Sequence, residues 1–208
     1  ICFSDVGFSN NSKAAQSYSE PFGEKLMNSI TANFTAMLVI AGLILGCTNM
    51  KPQDFSDTEP KFELFDYFAG ETRAWGLFEN RFGTVKRQFQ VSITGTIQDE
   101  ILTLDEKFTY SDGEIDTRIW QIEKKSDSYY EGRANDVVGI AKGIASGNSL
   151  NWQYDLNLKV DDTTYKVHFN DWMFLQNDGV LINRAKVSKW GFEVGQVTLF
   201  FIKPLNGS

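Results

Sequence analysis

The sequence predicts an all-β domain, one antiparallel meander closing into an up-and-down β-barrel. Three observations predict it. Apolar and polar residues alternate with period two through most of the chain after residue 60, as in strands with one buried face. Short breaks rich in Gly, Asn, Asp and Ser separate the runs, so sequence neighbours read as hairpin partners. About ten such runs follow one another, and the only helix-like stretch among them is one turn near Phe62–Ala69. A meander that long tends to curl and close, because closure removes exposed edges. A two-sheet β-sandwich is the alternative.

The elements follow in order. Phe34–Gly46 is an uncharged apolar run ending at Cys47. It is short against the roughly 20 residues of a membrane span. Its length suits the apolar region of a secretory signal, with a small residue at the cut. Ile44-Leu45-Gly46-Cys47 resembles the lipobox of bacterial lipoproteins, in which the cysteine thiol takes a diacylglycerol and becomes the acylated amino terminus. That resemblance implies removal of 1–46, lipidation of Cys47 and a lipidated tether over 47–60, including the polar Lys51–Pro60. The barrel domain then runs over 61–208. Thr48 after the cysteine, rather than Asp, implies a bacterial envelope protein held at the outer membrane and facing the periplasm.

In the body, Val85, Phe89, Val91, Ile93 and Ile97 fall on one face of a strand and Lys86, Gln88, Gln90, Ser92 and Thr94 on the other. Leu102, Leu104, Phe108 and Tyr110 share a face, as do Leu150, Trp152, Tyr154, Leu156, Leu158 and Val160, and Tyr165, Val167, Phe169, Met173 and Leu175. The turns fall at Gln98-Asp99-Glu100, Ser111-Asp112-Gly113, Ser126-Asp127-Ser128, Gly147-Asn148, Asp161-Asp162 and Asn177-Asp178-Gly179. Aromatic residues make up 14% of the chain, and most lie in these runs, so rings should line the interior. In outline the barrel is lipocalin-like. Gly139, Ala141, Gly143, Ala145 and Gly147 fall on one strand face without bulk, which neighbouring rings or a ligand can approach closely. Rings are the favoured occupant.

Two carboxylates break the apolar phase of their strands, Glu106 and Asp171. If those faces point inward, both acids are buried and each needs a partner, with Arg118, Arg133 and Arg184 available. Such a cluster is either an ion-pair network that fixes the fold or the polar end of an apolar cavity. The net charge of −7 argues against nucleic acid, which needs a basic footprint. The single histidine, His168, falls on an outward phase. With no cysteine beyond Cys47, no zinc set, Ser-His-Asp triad or other cofactor motif is expected.

The hairpin Asn170–Ala185 is the least generic part of the chain, and Asp171, Trp172, Asn183 and Arg184 in it are candidate site residues. Together with Ala74-Trp75-Gly76-Leu77-Phe78, Arg81-Phe82-Gly83, Tyr130–Gly139 with Arg133 and Asp136, and Ser188-Lys189-Trp190-Gly191, it resembles domain-of-unknown-function family 3833. The likeness extends over Phe62–Lys203 and departs from the family's more acidic pattern at Asn170. It implies a lipoprotein, in keeping with Cys47, and carries no established activity. Three functional readings follow: a membrane-anchored barrel binding a small amphipathic or lipid ligand, an enzyme using Glu106 and Asp171 on lipid or envelope sugar, and a non-catalytic envelope interaction protein. The binding reading comes first.

Overall fold

The computed structural model describes residues 49–160 and 163–204; the apolar run, Cys47 and the turn Asp161-Asp162 lie outside the described residues. Ten strands follow in order: β1 Gly70–Asn80, β2 Val85–Gln98, β3 Ile101–Tyr110, β4 Ile115–Lys124, β5 Tyr129–Arg133, β6 Val137–Ser146, β7 Ser149–Val160, β8 Thr163–Leu175, β9 Leu181–Lys189 and β10 Phe192–Ile202. Each pairs with its neighbours in sequence, and β1 pairs with β10 from Arg73↔Ile202 to Asn80↔Gly195. The sheet is therefore a closed barrel and not a sandwich. The tight turn read at Gln98-Asp99-Glu100 is a two-residue hairpin: Gln98 pairs with Ile101, and Asp99 and Glu100 both take positive φ, the backbone that matches strand twist.

The turns alternate between two ends. One end, the floor, is closed by a short helix, α1 (Leu64–Phe68), where sequence analysis placed a single helical turn. Phe62, Leu64 and Phe68 are buried there. Tyr67 donates through its hydroxyl to the carbonyls of Gly179 (3.1 Å) and Phe201 (3.2 Å), and the Phe62 amide donates to Gly147 (2.8 Å). Glu63 accepts from Lys124 Nζ and the Tyr130 hydroxyl. Burial pushes the Tyr67 hydroxyl up to about 12, so it stays a donor at any physiological pH. The helix end lies so close to β2 that a Cβ on Gly95 would stand 1.8 Å from the Phe68 carbonyl oxygen. Gly95→Ala is therefore expected to cost about 2 kcal/mol or more, because backbone must move to admit one methyl group. The urea midpoint measures it, and an unchanged midpoint would mean that the helix is only loosely seated.

The segment expected as a polar tether is seated on the barrel. Pro52–Phe55 forms one 3-10 turn. Phe55 packs edge-on against Phe174 at 5.2 Å and tilted against Trp172 at 5.7 Å, and Thr58 Oγ1 lies 2.8 Å from Asn148 Oδ1. The apolar Phe55, inside a polar stretch, makes the difference: it covers two outward-facing rings that would otherwise meet water. Phe55→Ala should lower the melting temperature by several degrees, equivalent to about 1–2 kcal/mol. Thermal unfolding of the variant tests this seat.

The small-residue face of β6 is covered by a ring. A Cβ on Gly143 would lie 2.3 Å from the Trp152 ring, and one on Gly132 of β5 would lie 2.6 Å from it. The row is shorter than expected. Pairing of β6 with β7 slips between Val138↔Asp155 and Lys142↔Gln153, and Gly139 takes a positive φ within that bulge. Gly147, also at positive φ, belongs to the turn that follows. Ala141, Gly143 and Ala145 are what remain on the inner face. A bulge changes which face a residue occupies, and strict alternation cannot reveal it.

Candidate functional site

The barrel interior changes character along its axis. Near the floor, Leu102, Leu104, Ile122, Tyr130, Leu150 and Leu181 fill it completely. A layer of rings comes next: Trp120 packs edge-on against Trp152 (5.8 Å) and Tyr154 (5.4 Å), and Tyr154 stacks on Phe169 at 5.0 Å. Toward the mouth, Phe89, Phe108, Tyr110 and Phe169 are only half-buried. Phe89 lies 6.0 Å from Phe108 and 5.6 Å from Tyr110.

Polar side chains sit between the packed half and the half-open half. Glu106 shares the inner face of β3 with Leu102, Leu104, Phe108 and Tyr110, and its cross-strand partner on β4 is Arg118. Arg118 donates through Nε (2.9 Å) and Nη2 (2.6 Å) to one oxygen of Asp136, and its guanidinium lies 5.7 Å from the Phe108 ring centroid. Asp171 comes from β8, paired with Trp152 on one side and Ala185 on the other. Its side chain is buried, with the Tyr154 hydroxyl favouring its charged form; among the described residues neither its Oδ1 nor Asp136 Oδ1 has a hydrogen-bond partner. Asn183 stands next along the inner face of β9, fully buried, donating weakly to the Trp172 carbonyl at 3.5 Å.

The wall beside this cluster is thin. β5 has five residues, and its ladder with β4 covers only Gln121–Lys124. Ile115–Trp120 thus have a strand neighbour only on the β3 side. The turn between β5 and β6 carries Asp136 into that gap, held by a hydrogen bond from the Asn157 amide to its carbonyl (2.9 Å). The Arg118–Asp136 ion pair spans the gap where backbone bonds are missing. With a quarter to a third of each side chain exposed, the pair is reachable from outside.

Burial sets the electrostatics. Desolvation pushes both Glu106 and Asp171 up to about 7, against the opposing pull of the Arg118 charge. Burial also opposes the charge on Arg118, but the Glu106 and Asp136 carboxylates beside it outweigh that and keep the guanidinium protonated. The Tyr154 hydroxyl is pushed far up by burial and remains neutral. A carboxyl whose pKa is raised on folding contributes stability that is complete below its unfolded value near 4 and lost as pH rises through about 7. Asp171→Asn removes that loss. The variant should match the native protein near pH 4 and exceed it by about 1–2 kcal/mol near pH 8. Urea unfolding at the two pH values checks the sign, and equal stability at both would show that Asp171 is solvated after all.

The structure separates the sequence candidates into two groups. Glu106, Arg118, Asp136 and Asp171 form one cluster, while Asn183 faces inward nearer the floor, opposite Met173, and bonds the Trp172 carbonyl. Arg133 and Arg184 are exposed on outward faces, paired with Gln121 and with Trp172 and Thr198, so neither can serve the buried acids. Trp172 also faces outward, and it is buried only because Phe55 lies over it. Tyr154 belongs to the site as well; the sequence marks it only as a member of an aromatic face, through its inward phase beside Trp152. His168 does face outward, with Nδ1 2.9 Å from Asp155 Oδ1. It lines an outer hollow of about 340 Å³ beneath the β6 bulge, together with Val138, Ile140, Lys142 and Gln153. Lys166 also bonds Asp155 (2.9 Å), which holds that carboxyl below its usual range.

Comparison with known proteins places this barrel. The model of the DUF3833 family, proteins of unknown function, matches residues 41–203, most of the chain. The chain belongs to the DUF3833 family. No curated protein matches it. Among solved structures, this DUF3833 protein is similar to the S-type phycobiliprotein lyase CPES from Guillardia theta, with TM-score 0.50 and 6% identity, covering 69% of this chain and 92% of that one. A protein of unknown function from the DUF3598 family of Nostoc punctiforme aligns with TM-score 0.48 and 10% identity; 69% of this chain is covered, and the alignment spans about half of that protein (49%). At such identities the likeness to the lyase is one of fold: a closed lipocalin-like barrel.

Proposed function

We propose that this DUF3833 protein is a bacterial envelope lipoprotein whose barrel binds a small amphipathic molecule, its polar end held by the Glu106–Arg118–Asp171 cluster and its apolar part lying among Phe89, Phe108, Tyr110 and Phe169. The observation that carries this reading is the buried Asp171 carboxylate with a free acceptor oxygen, set where packed core gives way to half-open rings. A buried acceptor without a partner costs about 1–3 kcal/mol, and a ligand donor that filled it would remove the cost. The similar barrel of the phycobiliprotein lyase supports a ligand-handling use of the fold. The packed floor sets a limit, since only the mouth half can take a guest.

Native mass spectrometry of the protein purified gently from bacterial membranes tests the binding. A co-purified small molecule, released by Asp171→Leu in a folded variant, is the expected result. An empty barrel that also fails to take up fluorescent amphiphiles would end this reading. Acylation at Cys47 is a separate arm: labelled palmitate should enter the native protein and not Cys47→Ala. Turnover chemistry is the second reading, because carboxyls titrating near 7 suit general acid–base work. Recovery of the bound molecule unchanged after incubation would decide for binding.

A further inference from the structure

The inner end of the half-open part of the lumen is short of positive charge. Three carboxyls, from Glu106, Asp136 and Asp171, converge on one guanidinium, and Asp116, on the inner phase of β4, adds a fourth acid nearer the rim. Arg118 spends two of its donors on a single Asp136 oxygen. The remaining oxygens of Asp136 and Asp171, Oδ1 in each, are buried acceptors without donors. Level with this cluster the described inner face brings no second cation: β9 brings Asn183, Ala185 and Val187, β10 brings Val197 and Leu199, β1 brings Ala74, and β2 brings Val91 and Phe89. The next cations on these faces stand at the rim, where Arg87 pairs with Asp112 and Glu114 over the Tyr110 ring and Lys189 lies over Tyr165. Tyr154 from β7 is neutral. Beyond Arg118 and the Tyr154 hydroxyl, which favours the charged form of Asp171, the described residues of the cluster bring acceptors rather than donors.

Resting on the binding reading above, we infer that the buried end of the ligand is an amine or similarly cationic donor rather than a carboxylate, phosphate or other anion. The Asp171 side chain, only 7% exposed, is its principal partner, with Glu106 and Asp136 completing the acceptor set. An ammonium brings donors to the two vacant oxygens and balances the surplus acid, whereas a fatty carboxylate would add a further negative charge to a desolvated site. The half-buried rings toward the mouth suit the same guest, since aromatic faces attract cations. Burial holds Glu106 and Asp171 near 7, so the preference should sharpen as pH rises and both ionise.

The test compares dodecylamine, dodecanol and dodecanoate, kept below their micelle concentrations, against the full chain. Binding is read from the indole NMR signals of Trp120 and Trp152, which border the cluster. The expected order near pH 8 is amine, then alcohol, then carboxylate, with the amine ahead of the carboxylate by about tenfold or more. The gap should narrow near pH 6. In Asp171→Asn the amine should lose most of its lead while the alcohol binds as before. The native ranking needs no variant, so it stands even if that substitution disturbs folding. A carboxylate bound as tightly as the amine, or an amine no better than the alcohol, overturns the inference and leaves lumen binding intact. Failure of all three to shift either indole removes the binding reading itself, and this inference with it.

Discussion

Trp152→Ala is expected to lower the unfolding free energy by about 4 kcal/mol, one of the two largest effects anticipated for a single substitution in this barrel. Trp152 is buried against Gly132 and Gly143, whose missing side chains make the slot it occupies, and it braces Trp120 edge-on. No neighbour can collapse into that slot, because glycines bring no atoms to fill it. The cost is therefore the lost burial plus nearly the whole cavity. Trp152→Phe should retain much of the contact and cost about half as much. Chemical denaturation gives both values. A loss under about 1 kcal/mol for the alanine variant would mean that the ring layer rearranges freely, contrary to a core packed at crystal-like density.

Arg118→Met is the second. Here the volume is nearly kept and the charge is lost. Asp136 loses the ion-pair partner it has among the described residues, and Glu106 and Asp171 lose the positive charge that opposes their desolvation. The expected loss is about 2 kcal/mol near pH 8, since the buried Asp171 and its neighbour Glu106 lose their counter-charge, while the part-exposed Asp136 is screened by water and adds little. It should shrink toward pH 5, where the acids take up protons and need no counter-charge. Adding Glu106→Gln to Arg118→Met should recover part of the stability near pH 8. A pH-independent loss would assign Arg118 a packing role and leave the electrostatic account without support. The gap between β4 and the following strands should also become more permeable, visible as faster amide exchange at Ile119 and Trp120.

Much of this arrangement is written in strand phase. Glu106 among Leu102, Leu104 and Phe108 and Asp171 among Phe169 and Met173 could be placed inside because a sheet position has only two choices of side. The same rule selects Arg118, which shares its phase with Trp120 and Ile122, over Arg133 and Arg184, whose strands turn them outward. What the sequence leaves hidden depends on pairing rather than alternation. The brevity of β5, and with it the gap that Arg118 and Asp136 bridge, follows from where the ladder ends and not from any one residue. The bulge at Gly139 moves its neighbours across the sheet, and a glycine in a strand signals only that something irregular is near. Phe55 stayed hidden for the opposite reason: one apolar residue in a polar stretch has no period.

The seat of Phe55 carries a consequence for how the molecule faces its surroundings. The chain reaches the barrel beside the Gly147 turn, at the end sealed by α1, so its point of attachment and its opening lie at opposite poles. A guest that enters through the mouth therefore never crosses this seat, so loosening Phe55 should lower stability while leaving uptake unchanged.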